Sequence, residues 1–229
     1  MFQLEQVSRT YKQGSREVHA VDEISMSIKE GEFLSLVGPS GSGKSTLLQL
    51  LGGMDRPTSG VVSFEGRDLA ELGDTELADL RLKTFGFVFQ QFNLIPTLTA
   101  QQNIEAALAP LKMKKSERRD VAMSRLEEVG LAERATHAPS ELSGGEQQRV
   151  AIARALANEP RVIFADELTG NLDTKTGKEV IELLAWLSGE HGATLVVATH
   201  DRAITRAASR TLQLEDGRAK PPRGARTDS

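Results

Sequence analysis

The stretch EFLSLVGPSGSGKSTLLQLL, residues 32 to 51, constrains this chain more than any other. An apolar, β-prone run stops at Gly38, a helical apolar pattern starts after Lys44, and the residues between match G-x-x-x-x-G-K-[ST] at every fixed position. That order, strand then loop then helix, is the nucleotide-binding corner of an α/β fold. Glycines let consecutive main-chain N–H groups curl around phosphates at the positive end of the following helix. Gly38, Pro39, Ser40, Gly41, Ser42, Gly43, Lys44, Ser45 and Thr46 are therefore candidate nucleotide contacts, with Lys44 at the β- and γ-phosphates and the Ser45 hydroxyl on magnesium. A glycine-rich turn carrying a surface lysine is the plain alternative, and the flanking strand and helix argue against it.

A second glycine pair poses a question. In ELSGGEQQR, residues 141 to 149, Ser143 and Glu146 have capping-box spacing before the helical run VAIARALA. Gly144 and Gly145 then occupy the first turn, where each costs about 1 kcal/mol relative to alanine and adds no packing. Something must approach that backbone closely.

The rest of the chain reads as one α/β domain, 1–217, followed by a tail, 218–229, that holds Pro, Gly and charge and is expected to be disordered. The first third suggests an N-terminal, largely antiparallel layer, FQLEQVSRTYK, VDEISMSIKEGEFLSLVG and SGVVSFEGRDL. Between core segments 1–91 and 160–217, residues 92–159 show helical spacing, an inserted α-helical subdomain. RVIFAD, GKEVIELLAWLSGEHG, ATLVVATH and TLQLEDG then return to a βαβ rhythm, with Val180, Leu183, Leu184 and Leu187 as core and Trp186 beside it. The basic run LKMKKSERR, residues 111 to 119, reads as a solvated face, with a membrane-proximal contact as the alternative. No run spans a bilayer, no leader segment is visible, and zero cysteines exclude disulfides and thiolate metal sites. A net charge of −4 gives no general attraction to nucleic acid.

RVIFADE ends a buried strand in two carboxylates: Asp166 is a candidate magnesium ligand and Glu167 a candidate general base for the attacking water. With these residues in place, the order GPSGSGKST, LSGGEQQR, IFADE, NLD and a histidine after LVVAT resembles an ATP-binding-cassette ATPase from Met1 to about Gly217. The resemblance implies an α/β fold with a P-loop NTPase (RecA-like) core, and ATP hydrolysis with Mg2+ in a head-to-tail homodimer, in which Ser143, Gly144 and Gly145 of one subunit face the γ-phosphate held by the other. The glycine pair would then be a helix N-terminus kept bare for an anion arriving from outside, so that an acidic residue at Gly145 should block dimerisation and hardly alter folding.

Further roles follow residue by residue. Tyr11 matches the adenine-stacking aromatic, Gln90 the magnesium ligand and γ-phosphate sensor, Asp173 the residue coupling the two sites, and His200 the histidine that contacts the γ-phosphate. Gln91 reads as surface. One position departs: Leu168 stands where the family usually has proline, which removes a restriction on Glu167 and predicts slower hydrolysis. FNLIPTLTAQQNI and LTGNLD resemble subunits serving lipoprotein-release, macrolide-efflux and FtsE-like permeases. That implies a peripheral subunit on the cytoplasmic face of the inner membrane, bound to a separate integral membrane permease. Two other readings stay open: a soluble cassette ATPase of translation or repair, whose usual double cassettes or long insertions are lacking here, and an ATP-dependent regulator of a division or cell-wall partner that moves no cargo.

Overall fold

A computed structural model describes residues 1–14 and 16–220. They form two compact units, one of residues 1–77 and 196 onward, the other of residues 78–195.

In the first unit, β1 (Phe2–Gln13) lies between β2 (Arg16–Ile28) and β4 (Ser59–Phe64), with β5 (Arg67–Asp68) at the edge, all antiparallel. This is the expected N-terminal layer. Phe2 and Leu4 point inward, yet Val7, an odd number of residues on, is also fully buried. A register shift between Leu4 and Val7, with Gln6 at φ +49°, inserts the extra residue that restores the inward phase. β3 (Phe33–Val37), expected with that antiparallel layer, belongs instead to a different sheet, its Leu34 and Leu36 wholly buried. It runs parallel to β9 (Arg210–Glu215) and neighbours β8 (Thr194–Thr199), the arrangement that a near-continuous apolar strand requires. α1 (Lys44–Leu51) follows β3 and buries Leu47, Leu48, Leu50 and Leu51.

One expectation fails here. Arg218–Lys220 are β10, paired antiparallel with β9, and not the start of a disordered tail. Ladder hydrogen bonds and an Arg218–Asp22 ion pair at 2.7 Å order a segment that has almost nothing apolar to bury. The remainder of that tail lies outside the described residues.

In the second unit, β6 (Phe85–Val88) and β7 (Val162–Asp166) pair in parallel from Phe85 opposite Val162 to Val88 opposite Ala165. Phe85 and Phe164 meet edge to face across them at 5.3 Å. α3 (Ala100–Leu108), α4 (Lys115–Glu128) and α5 (Gly144–Leu156) pack on one another, and α5 also packs on β6 and on α6 (Thr174–Glu190). FNLIPTLTAQQNI owes its form to Asn103, fully buried in α3, whose amide donates to the carbonyls of Ile95, Leu98 and Thr99 and accepts from the Ile95 N–H. Along α6, Val180, Leu184 and Leu187 are buried as expected, but Leu183 is only half-buried at the edge of that stripe, and Trp186 is 55 % exposed and not against the core. The basic run around Lys114 and Lys115 is exposed. Among the described residues no helix is long and apolar enough to cross a membrane.

Candidate nucleotide site and its loops

The glycines of the phosphate loop are required by their surroundings. A Cβ on Gly38 would overlap the Leu214 carbonyl oxygen and Ser42 Oγ, and one on Gly43, at φ +99°, would overlap the Ala20 carbonyl. Gly41 is required by conformation alone, with φ +79° and nothing within 4 Å. Lys44 is 5 % exposed, and its Nζ donates to the carbonyls of Gly38 and Pro39 at 2.9 and 3.0 Å. A buried ammonium folded over the loop, at the start of a helix with no acidic residue in its first turn, is a cationic seat for a phosphate. Ser45 is exposed at the start of α1, and Pro39 and Ser40 are exposed as well. His200 follows β8, next to β3, and is exposed.

Tyr11 sits on β1 with two partners that sequence reasoning missed. Its hydroxyl donates to Asp55 Oδ2 at 2.7 Å, Arg9 Nε donates to the same oxygen at 2.8 Å, and the Arg9 guanidinium lies 4.6 Å from the ring centroid. Nothing local marks Asp55, which is 44 residues away from Tyr11 along the chain.

In the second unit, Asp166 ends β7 and Glu167 follows at φ +47°. A non-glycine residue there is strained, and a following proline would restrict its backbone. Leu168, 2 % exposed, imposes no ring restriction and packs instead. Gln90 lies just past β6: its carbonyl accepts from Asn171 Nδ2 at 2.9 Å, and its side-chain Nε2 rests over Gly170, where a Cβ would come within 2.7 Å. Gln91 is exposed.

Ser143 caps α5 in the expected box: its Oγ accepts from the Glu146 N–H at 3.3 Å and its own N–H donates to Glu146 Oε2 at 2.8 Å. The hydrogen bonds with Ser143 and the nearby Arg134 hold the Glu146 carboxyl below its ordinary range. The glycine pair has close neighbours within its own chain. A Cβ on Gly144 would stand 3.3 Å from Leu172 Cδ2 and 3.9 Å from the Phe92 ring, and one on Gly145 would overlap Thr176 Cγ2. Substitution at Gly145 therefore disturbs the protomer itself, which corrects the expectation that an acidic residue there would hardly alter folding. Asp173 is the N-cap of α6, accepting from the Thr176 and Lys175 N–H groups, both at 3.1 Å, and a hydrogen bond with the Thr176 side chain together with these main-chain bonds lowers its pKa.

Residues 21–170 match the ABC transporter family model, and the chain belongs to that family as an ATP-binding ATPase. It is 49 % identical over 221 residues to the ABC transporter ATP-binding protein MJ0796 of Methanocaldococcus jannaschii, covering 95 % of this chain and 94 % of that one. A solved dimeric structure of the MJ0796 cassette, in a post-hydrolysis state with ADP and Pi, superposes with a TM-score of 0.88 at 47 % identity over 98 % of this chain and 100 % of that one. The macrolide export ATP-binding/permease protein MacB of Hyphomonas neptunium is 44 % identical over 218 residues, 95 % of this chain but 34 % of MacB.

Proposed function

We propose that this chain is the ATPase subunit of a membrane transport or mechanotransmission complex, working as a head-to-tail homodimer on the cytoplasmic face of a membrane permease. The observation that carries the reading is a phosphate loop that tolerates no side chain at Gly38 or Gly43, with Lys44 folded over it, in a chain whose 47 % identical solved relatives are dimers. The donor set fits ATP with Mg2+. Gly38 to Thr46 would hold the phosphates, Tyr11 would lie against adenine, and Ser45, Asp166 and Gln90 would hold the metal. Bound Mg2+ would neutralise phosphate charge as it develops in the transition state. Glu167 takes the proton of the attacking water, His200 steadies the γ-phosphate, and Asp173 joins the two sites. Ser143, Gly144 and Gly145 offer the N-terminus of α5 to the partner's ATP, although the glycines also serve their own protomer.

Support for a permease comes from MacB, which by its name joins such an ATPase to a permease. An open groove of about 380 Å³ in the second unit, lined by Phe87, Phe89, Arg81, Arg154 and Asn93, suits a docking element from such a partner. Ile95, 43 % exposed on the loop that Asn103 fixes, adds an apolar contact.

A mixing experiment tests the shared site. Ser143→Asp keeps a good helix cap while adding a carboxylate where the partner's phosphate would dock. It should abolish turnover, as should Lys44→Ala. In a heterodimer of the two, one composite site carries both defects and the other none, so ATPase activity should reappear on mixing to about a quarter of wild type, taking random pairing and sites that act independently. Ser143→Asp turning over at the wild-type rate would sink the shared-site reading.

A further inference from the structure

The loop after β6 is built on two strained residues. Phe92 and Asn93 both have positive φ, +39° and +49°, and the Asn93 N–H closes a three-residue turn onto the Gln91 carbonyl. Conformations of this kind persist only where the surroundings over-determine them. Here one side chain holds both strained residues by their carbonyls. Arg154, in the last turn of α5, donates NH1 to the Asn93 carbonyl at 2.5 Å and NH2 to the Phe92 carbonyl at 2.9 Å. At the opposite end of the same helix the Phe92 ring faces Gly144. Gln90, two residues before Phe92, is tied at its own carbonyl by Asn171.

We infer that Arg154 is the positioning residue for Gln90: its planar fork clamps the carbonyls of Phe92 and Asn93 and so fixes the loop in the conformation that presents the Gln90 side chain. This rests on the proposed role of Gln90 at the metal and the γ-phosphate. Arg154 itself touches neither. A guanidinium suits the task because its N–H groups sit on separate nitrogens in one rigid plane, so the two carbonyls are held at a fixed spacing and angle that a single freely rotating ammonium nitrogen does not impose. Burial disfavours the Arg154 charge, so the two carbonyls also serve as its solvation.

The test is a double-substitution cycle with Gln90, read as ATPase kcat and as the dissociation constant for ATP. Arg154→Gln should lower kcat about tenfold, a fraction of what two charge-assisted hydrogen bonds are worth because Gln90 is displaced and not removed, while ATP affinity stays within about twofold. Arg154→Lys, which keeps the charge but not the fork, should lower kcat about threefold. In a Gln90→Ala background neither substitution should lower kcat further, because the residue being positioned is gone. The lysine variant retains the buried cation and carries the same test should Arg154→Gln not fold. Losses of the same size with and without Gln90 would make Arg154 a merely structural residue and overturn the inference. Wild-type kcat in Gln90→Ala alone would instead remove the role of Gln90, and the inference with it.

Discussion

Asn171 donates its side-chain amide to the main-chain carbonyl of Gln90 at 2.9 Å, and the residue before it, Gly170, leaves the space in which the Gln90 amide rests. Two loops proposed to act on the same nucleotide are thus joined within one protomer. Asn171→Ala should lower kcat about fivefold with little change in ATP affinity, the scale of one lost hydrogen bond of about 1 kcal/mol. Gly170→Ala should be worse, since its Cβ displaces Gln90 itself. Equal KM and kcat for both variants and wild type, in steady-state ATPase assays, would show that the contact does not position Gln90.

Binding and chemistry should separate at two residues. Lys44→Ala removes the buried ammonium over the loop and should weaken ATP binding and turnover together. Glu167→Gln keeps the shape of the side chain and should retain binding while slowing hydrolysis by about a hundredfold or more, the share expected of a general base. Gel filtration of Glu167→Gln with MgATP should show a dimer that the nucleotide-free protein lacks. A monomer in both conditions would count against the ATP-closed dimer.

Gly145 should be sensitive for a reason internal to the chain. Its replacement by alanine brings Cβ onto Thr176 Cγ2 and should cost about 1–3 kcal/mol, the usual scale of overpacking, read as a lowered denaturation midpoint. Thr176→Ser removes the methyl concerned and should restore most of that loss in the double variant. If Gly145→Ala alone is as stable as wild type, the contact yields freely and the glycine is there for the nucleotide only.

Two helix caps should weaken in acid. Hydrogen bonds from the Ser143 main chain and side chain hold Glu146 below its ordinary pKa of 4.5, and those from the Thr176 side chain and main chain hold Asp173 below 3.8. A group whose folded pKa is depressed stabilises the fold fully above its unfolded value and loses that stabilisation as pH falls through the folded value. Stability should therefore decline as pH drops below about 4, and Asp173→Asn, which keeps a capping side chain without a titrating group, should flatten part of that decline in thermal melts. Parallel pH profiles for wild type and Asp173→Asn would show that this carboxylate contributes nothing to the acid limb.

The parts legible in the sequence are those whose physical cause is local. The phosphate loop, the Ser143–Glu146 capping box and the buried faces of β3 and α6 each follow from residues a few positions apart, where glycine freedom, side-chain reach and periodicity decide the outcome. What only the tertiary structure decided are relations across long spans. Arg154 meets Phe92 and Asn93 from 62 and 61 residues away, Asn171 meets Gln90 from 81, and Thr176 closes over Gly145, so no local pattern marks any of these pairs. Trp186 shows the same limit from the other side. Periodicity indicates which residues of α6 share a face, but the neighbours set how wide the covered stripe is, and here it ends before the tryptophan. β10 orders without an apolar stripe because β9 already offers a row of unpaired main-chain groups, which is a property of a folded sheet edge and not of the segment that joins it.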